Sequence, residues 1–387
     1  MKNYSAYSIK NISEWQKGVV AENESVITLP SLQRGFVWKP RQIEALWDSI
    51  FSGYPIGSII VAENGEKKEL LDGQQRCTSI ALGFYNPFRD KVTGFLSLKD
   101  YFPSVWIDLK PATLTNSQNY VFRVLTKSHP WGYQLKDNSK ILTFSQRKNA
   151  KKFFMKNENE KPYINLLASE INPWDAFYPV PLSFLLEIIF NYDSINFVEF
   201  INLFREKISG LKVKTMYKND DFVNYDEINN EDLEKIYNGL EYAKKLYLPE
   251  ISIDSKVLQN EGSEDNSQNP TLFLRLNSAG TTISGEEMLY SIYKAEFPES
   301  KQLVEEIGAS YIAPSKIIDL FSRLAVCEIS KYNYYPNSFK VKSFRMQLQD
   351  PDFIKKMKSY LYESKNVIEI AKSILCQKKH DSSRRFC

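Results

Sequence analysis

Residues 69–86, ELLDGQQRCTSIALGFYN, run from an apolar, strand-like stretch through Asp-Gly-Gln-Gln-Arg directly into an apolar, helix-like stretch. Five consecutive polar or flexible residues between two core-forming segments leave few folds open. The simplest is a strand ending at Leu71, a turn at Asp72-Gly73, and a helix whose first turn holds Gln74, Gln75 and Arg76. Such a turn sets the N–H groups and the positive dipole end of the helix beside Gly73. Gly73 permits a positive φ or a close backbone approach. Arg76 offers a forked donor suited to phosphate, and the two glutamine amides can donate as well. For Asp72 three roles are open: capping the helix, orienting Arg76, or holding a Mg²⁺ ion beside phosphates. Two readings of the whole stretch stand at this point, a plain N-capped turn with Arg76 solvated, or an anion site.

The surrounding pattern is mixed. KPRQIEALWDSIFSG has Pro40 near its start, apolar residues at Ile43, Leu46, Trp47 and Ile50, and Gly53 just beyond, which predicts a helix. YPIGSIIVAENG and KKELLD predict two strands joined at the Asn64-Gly65 hairpin signal. VWIDLK and YVFRVL predict further strands, and NESVITLPSLQR a short strand leading into a turn. From about residue 165 the periodicity becomes helical, in LSFLLEIIFNY, INFVEFINLFREKISGL, NEDLEKIYNGLEYAKKLY, SKIIDLFSRLAVCEIS and PDFIKKMKSYLYESKNVIEIAKSIL. At 387 residues the chain is long for one domain. The expected organisation is an α+β protein, with a mixed α/β domain over 1–165 and a mainly helical domain over 166–387.

Composition removes several functions. With only two histidines, His129 and His380, and no CxxC pair, the chain has no HExxH and no cysteine–histidine metal cluster. A GxxxxGK[ST] phosphate loop is absent too. Fifty basic against forty-seven acidic residues leave a net charge of +3, so any nucleic-acid contact must come from a local patch. The basic run Arg147 to Lys156 and the basic tail are the candidates for tracking a phosphate backbone. No apolar run reaches the length of a membrane span and no signal peptide precedes the cysteines, so a cytoplasmic location away from membranes is expected.

Three further segments carry candidate residues. In LPSLQRGFVW (29–38), Gln33-Arg34 again pairs an amide with a guanidinium, and convergence of Arg34 with Arg76 would make a two-arginine clamp with Trp38 or Phe36 for packing. The alternative is a surface arginine near a core tryptophan. In FRVLTKSHPWGYQL (122–135), Arg123, His129 and Trp131 form a cluster read in two ways: proton transfer or substrate contact by His129, or a rigid His-Pro-Trp-Gly turn. In LFLRLNSAGTTISGEEMLYSIYKA (272–295), Ser284 and Glu287 form a capping box that predicts a helix over Ile283–Ala295. The preceding loop sets Asn277 and Thr281 where they would bind a nucleotide, or simply make an interhelical turn.

Taken in order, these segments resemble the DGQQR-containing N-terminal domain of GmrSD-type modification-dependent restriction enzymes. The matching residues are Gln33-Arg34 with Trp38, YPIGSI at 54–59, Asp72-Gly73-Gln74-Gln75-Arg76, and RLNSAGTTISGEE at 275–287; HPWGYQ at 129–134 looks like the signature of one branch. The resemblance implies a ParB/sulfiredoxin-like fold and a nucleoside-triphosphate-binding and hydrolysing domain that regulates a nuclease. It makes the two Gln/Arg motifs the nucleotide site, with Asp72, Gln74, Gln75 and Arg76 catalytic. Mg²⁺ follows from phosphoryl chemistry. DNA is the implied partner. Full-length members often carry a C-terminal HNH-type nuclease, yet CQKKHDSSRRFC shows no HNH pattern. Either the nuclease is a separate polypeptide, or the chain is truncated or works without one. A homo-oligomer is also left open, and a non-hydrolysing, nucleotide-switched DNA-binding adaptor is the rival function.

Overall fold

The computed structural model describes residues 5–16, 27–28, 38–64, 67–88, 103–112, 118–126, 128–154, 171–218, 221–254, 285–300, 303–304, 307 and 312–364. The chain divides into two units, one drawn from residues 1–28 and 37–257, the other from 29–36 and 258–387.

The first unit begins with β1 (Ala6–Ser8), α1 (Ile9–Gln16), β2 (Ile27–Thr28), α2 (Pro40–Phe51), β3 (Ile59–Asn64), β4 (Lys67–Asp72) and α3 (Gln74–Gly83). It continues with β5 (Ser104–Asp108), β6 (Val121–Leu125), α4 (Phe144–Phe154), β7 (Pro179–Pro181), α5 (Leu182–Phe190), α6 (Phe197–Ile208), α7 (Asn230–Lys245) and β8 (Tyr247–Asp254). The predicted hairpin is present: β3 and β4 run antiparallel with Asn64 opposite Lys67. They lie in a five-stranded sheet of order β1-β8-β3-β4-β2, with β8 parallel to β3 and β2 parallel to β4. A second sheet, of order β6-β5-β7, is antiparallel throughout.

α2 organises the interior of this unit. Its inward face, Ile43, Leu46, Trp47, Ile50 and Phe51, packs on β6, α3 and α7. Two glycines permit the close crossings: a Cβ on Gly83 would stand 2.1 Å from the Trp47 ring, and one on Gly239 would stand 2.4 Å from Phe51. The Trp47 indole is fixed by its Nε1, which donates to the Ser79 carbonyl at 3.1 Å. Thus α3 is held rigidly where it follows β4.

The first unit extends past the expected division at 165. The apolar faces of α5, α6 and α7 share one core with α2 and both sheets, and β8 then enters the five-stranded sheet between β1 and β3. These helices have no separate core to bury against, so the change from strand to helix periodicity does not mark a boundary.

The second unit is helical in its described residues: α8 (Gly285–Glu296), α9 (Pro314–Ile329), α10 (Val341–Gln347) and a helix over 351–364, α11. Leu289, Tyr293, Ile318, Phe321, Phe344 and Phe353 form its own core. The architecture is therefore mixed α and β with small sheets, as expected. Among the described residues no helix is long and apolar enough to cross a membrane.

Candidate functional site at the strand-to-helix turn

A β-bulge sets up the DGQQR turn. Val61 faces Leu70 across the hairpin, but Ile60 faces Asp72, so Leu71 is an extra residue on β4. Leu70 and Leu71 can then both be buried, which strict alternation would forbid. The bulge carries Asp72 to the strand end in a new direction. Gly73 follows with φ of +99°, in the left-handed region that glycine enters without penalty. At the helix N-cap position it offers no capping side chain. The Cys77 N–H donates to the Gly73 carbonyl at 2.9 Å and closes the first turn.

Arg76 is held on two sides. Its Nη2 donates to Asp72 Oδ2 at 3.1 Å, and its Nη1 donates to the Ile56 carbonyl at 2.8 Å. The guanidinium therefore bridges the end of β4 and the YPIG segment before β3. Its side chain keeps about 20% of its surface in water and that of Asp72 about 37%. A half-buried pair open to water on one side contributes little to stability; its effect is to fix the plane and position of the guanidinium. Gly57, at φ +87°, lies directly beneath Nη1. Neither Gly57 nor the Ile56 carbonyl was anticipated, although both fall in the YPIGSI stretch.

The two glutamines separate. Gln75 is buried, and its Oε1 accepts the Trp38 backbone N–H at 3.2 Å, so it anchors the start of α2. Gln74 is half-buried at the turn. The structure thus brings Asp72, Gly73, Arg76, Gln75 and Trp38 together. Gln33, Arg34, Asn277 and Thr281 lie outside the described residues. Behind the turn, burial pushes the Cys77 thiol up to about 12, which leaves it an inert core group.

Arg123, His129 and Trp131 form a second cluster. Arg123 is buried on β6 and donates to the carbonyls of Tyr133 and Gln134. Beside it lies buried Glu44 of α2, which accepts from the Val124 N–H at 3.0 Å and from the Asn138 amide. Burial drives the Glu44 carboxyl up to about 7, against the opposing pull of Arg123 and these hydrogen bonds. His129 Nδ1 is 3.1 Å from the Tyr133 hydroxyl, and the ring's proton affinity is lowered by burial and then by Arg147. Trp131 is buried, its carbonyl accepting the Trp174 N–H at 3.0 Å. Gly132 completes the turn at φ +82°. These bonds are those of a rigid turn tied to β6, and among the described residues no hydrogen bond or ion pair links this cluster to the DGQQR turn.

Among the described residues no group of three or more histidine, cysteine, aspartate or glutamate side chains could hold a metal ion. Asp72 is the one carboxylate of the DGQQR turn, and its Oδ2 is paired with Arg76 at 3.1 Å.

A bulged strand, a left-handed glycine and an arginine folded back one helical turn thus build the DGQQR turn of a mixed α/β domain. The chain matches the GmrSD restriction endonuclease N-terminal domain over residues 17–294, and it belongs to that family. Comparison with curated proteins gave no match.

Proposed function

We propose that the chain is a nucleoside-triphosphate-binding and hydrolysing component of a bacterial restriction or anti-phage defence system, built on a ParB/sulfiredoxin-like domain. In this reading the DGQQR turn receives the phosphates. The observation that carries it is the double restraint on Arg76: Asp72 and the Ile56 carbonyl hold a guanidinium in place at the start of α3. Donors positioned before the reaction stabilise charge that develops during phosphoryl transfer without reorganising. The guanidinium and the first-turn N–H groups of α3 bind phosphate oxygens, and Gln74 orients the terminal phosphate or the attacking water. Gln75 acts by positioning, through Trp38. Mg²⁺, held by Asp72 and the phosphates, would neutralise charge on the nucleotide. The nucleotide state would regulate DNA binding or a separate HNH-type nuclease subunit.

Phosphate release from ATP, GTP, CTP and UTP with Mg²⁺ tests this, comparing the native chain with Arg76→Ala and Arg76→Lys. Turnover lost in both variants supports the reading, because a lysine cannot bridge Asp72 and Ile56 as a fork does. No turnover in the native chain, with nucleotide still bound, would sink hydrolysis and leave the non-hydrolysing adaptor.

A further inference from the structure

On the first unit, α4 and the 211–218 segment form one surface. Buried Asp175 fastens them: one oxygen accepts from the Tyr217 hydroxyl at 2.6 Å, and the other from the Leu135 N–H at 2.8 Å and Gln146 Nε2 at 3.4 Å. The Met216 N–H donates to the Trp174 carbonyl at 2.9 Å, and Phe153 of α4 packs near the Trp174 ring. The platform is therefore fixed from below by the 129–135 turn and residues 174–175.

Its outer side is rich in cations: α4 and residues 211–218 carry no acid, and exposed Asp221 and Glu227 lie beside them. α4 has Arg147, Lys148, Lys151 and Lys152, and the 211–218 segment has Lys212, Lys214 and Lys218. Of these, Lys218 is paired with Glu227 at 2.5 Å. On α4 the charges form like-charged i,i+4 pairs, 147 with 151 and 148 with 152, an arrangement that opposes the helix by a few tenths of a kcal/mol per pair. Arg147 Nε is buried without a hydrogen-bond partner among the described residues. Aromatic rings lie among the cations. Lys214 Nζ stands 3.8 Å from the centre of the Phe153 ring and 4.6 Å from that of Phe222, and Lys212 Nζ is 5.9 Å from Phe222. Phe222 nevertheless keeps 51% of its surface in water.

The geometry points to a binding surface for single-stranded nucleic acid along α4, Lys212, Lys214 and Phe222, separate from the DGQQR turn. Lysines and Arg147 neutralise successive phosphates, and the open face of Phe222 stacks on an unpaired base. Interleaved cations and exposed rings are the device by which single strands are held without sequence readout. A paired duplex hides the faces of its bases and would leave Phe222 unused. The inference goes beyond the proposed nucleotide site and is tested without nucleotide.

Fluorescence anisotropy with a labelled oligothymidylate, a duplex of equal length and anionic phospholipid vesicles at several salt concentrations decides it. The native chain should prefer the single strand. Lys148→Glu with Lys152→Glu should weaken that binding at least tenfold and flatten the salt dependence, by about 0.7 in slope for each phosphate no longer neutralised. Phe222→Ala should cost roughly tenfold for the single strand and little for the duplex. Lys340→Glu with Lys355→Glu, exposed in the second unit, should change nothing. Circular dichroism melting checks that the variants fold. Equal losses in both charge-reversed pairs, tighter duplex than single-strand binding, or binding to vesicles alone would each overturn the inference.

Discussion

Nη1 of Arg76 occupies the space that a side chain on residue 57 would need, since a Cβ built on Gly57 stands 2.5 Å from it. The turn that holds the guanidinium is thus completed by a residue without a side chain, well before it in the chain.

Gly57→Ala should therefore damage the site and the fold together. The alanine would have to keep φ near +87°, which costs about 1–2 kcal/mol, and displace the guanidinium from the Ile56 carbonyl. The urea midpoint should fall, and any phosphate release should drop at least tenfold. Gly210→Ala, whose added Cβ meets nothing within 4 Å, serves as the control and should retain full turnover.

Gly83→Ala tests the crossing of α2 and α3. The new methyl would stand 2.1 Å from Trp47, whose indole is held by the Ser79 carbonyl and cannot swing away. Overpacking of this kind costs about 1–3 kcal/mol. Urea unfolding should show a lower midpoint at unchanged slope.

Glu44 gives stability a pH dependence of defined sign. Its carboxyl is pushed from 4.5 in the unfolded chain to about 7 in the fold. Below pH 4.5 it is protonated in both states. Between 4.5 and 7 only the unfolded chain releases the proton, so stability falls as pH rises through this window and levels off above it. The full contribution is roughly 3 kcal/mol. Glu44→Gln should remove it, and the gap between the two urea stability curves, measured from about pH 4 to about pH 8, should open across that window alone.

Arg123 and His129 should separate sharply. Arg123→Met leaves the carbonyls of Tyr133 and Gln134 without their donor, at a cost of about 1–3 kcal/mol for each group. His129→Gln loses chiefly its approach to the Tyr133 hydroxyl, worth about 1 kcal/mol. Thermal melts would distinguish them, and phosphate release by His129→Gln should equal that of the native chain.

Much of the first unit was legible because its signals are local. The Pro40 helix, the Asn64-Gly65 hairpin, and the strand, turn and helix around Asp72-Gly73 each depend on neighbours within a few residues. β8 was not legible. Pro249 interrupts YLPEISID, and the strand's partners, Ala6 and Ile59, are far away in sequence, so nothing local marks it as part of a sheet. α4 read only as a basic run, because its inward residues Gln146, Ala150 and Phe153 are few among charges. The structural part played by Arg123 was hidden for a similar reason. Its acidic neighbour, Glu44, is on α2 and its acceptors are backbone carbonyls, which carry no sequence signature.

The place of β8 in the sheet also sets an order of events during synthesis. Until residues 247–254 have left the ribosome, the facing edges of β1 and β3 have no strand between them. Nearly two hundred residues must therefore be made and kept from pairing wrongly before the first sheet can close, and such distant pairing is slow. A fragment cut at residue 165 would keep Asp72, Gly73 and Arg76 yet present two unpaired strand edges, inviting self-association. The smallest expressible piece carrying this turn therefore has to reach at least residue 254.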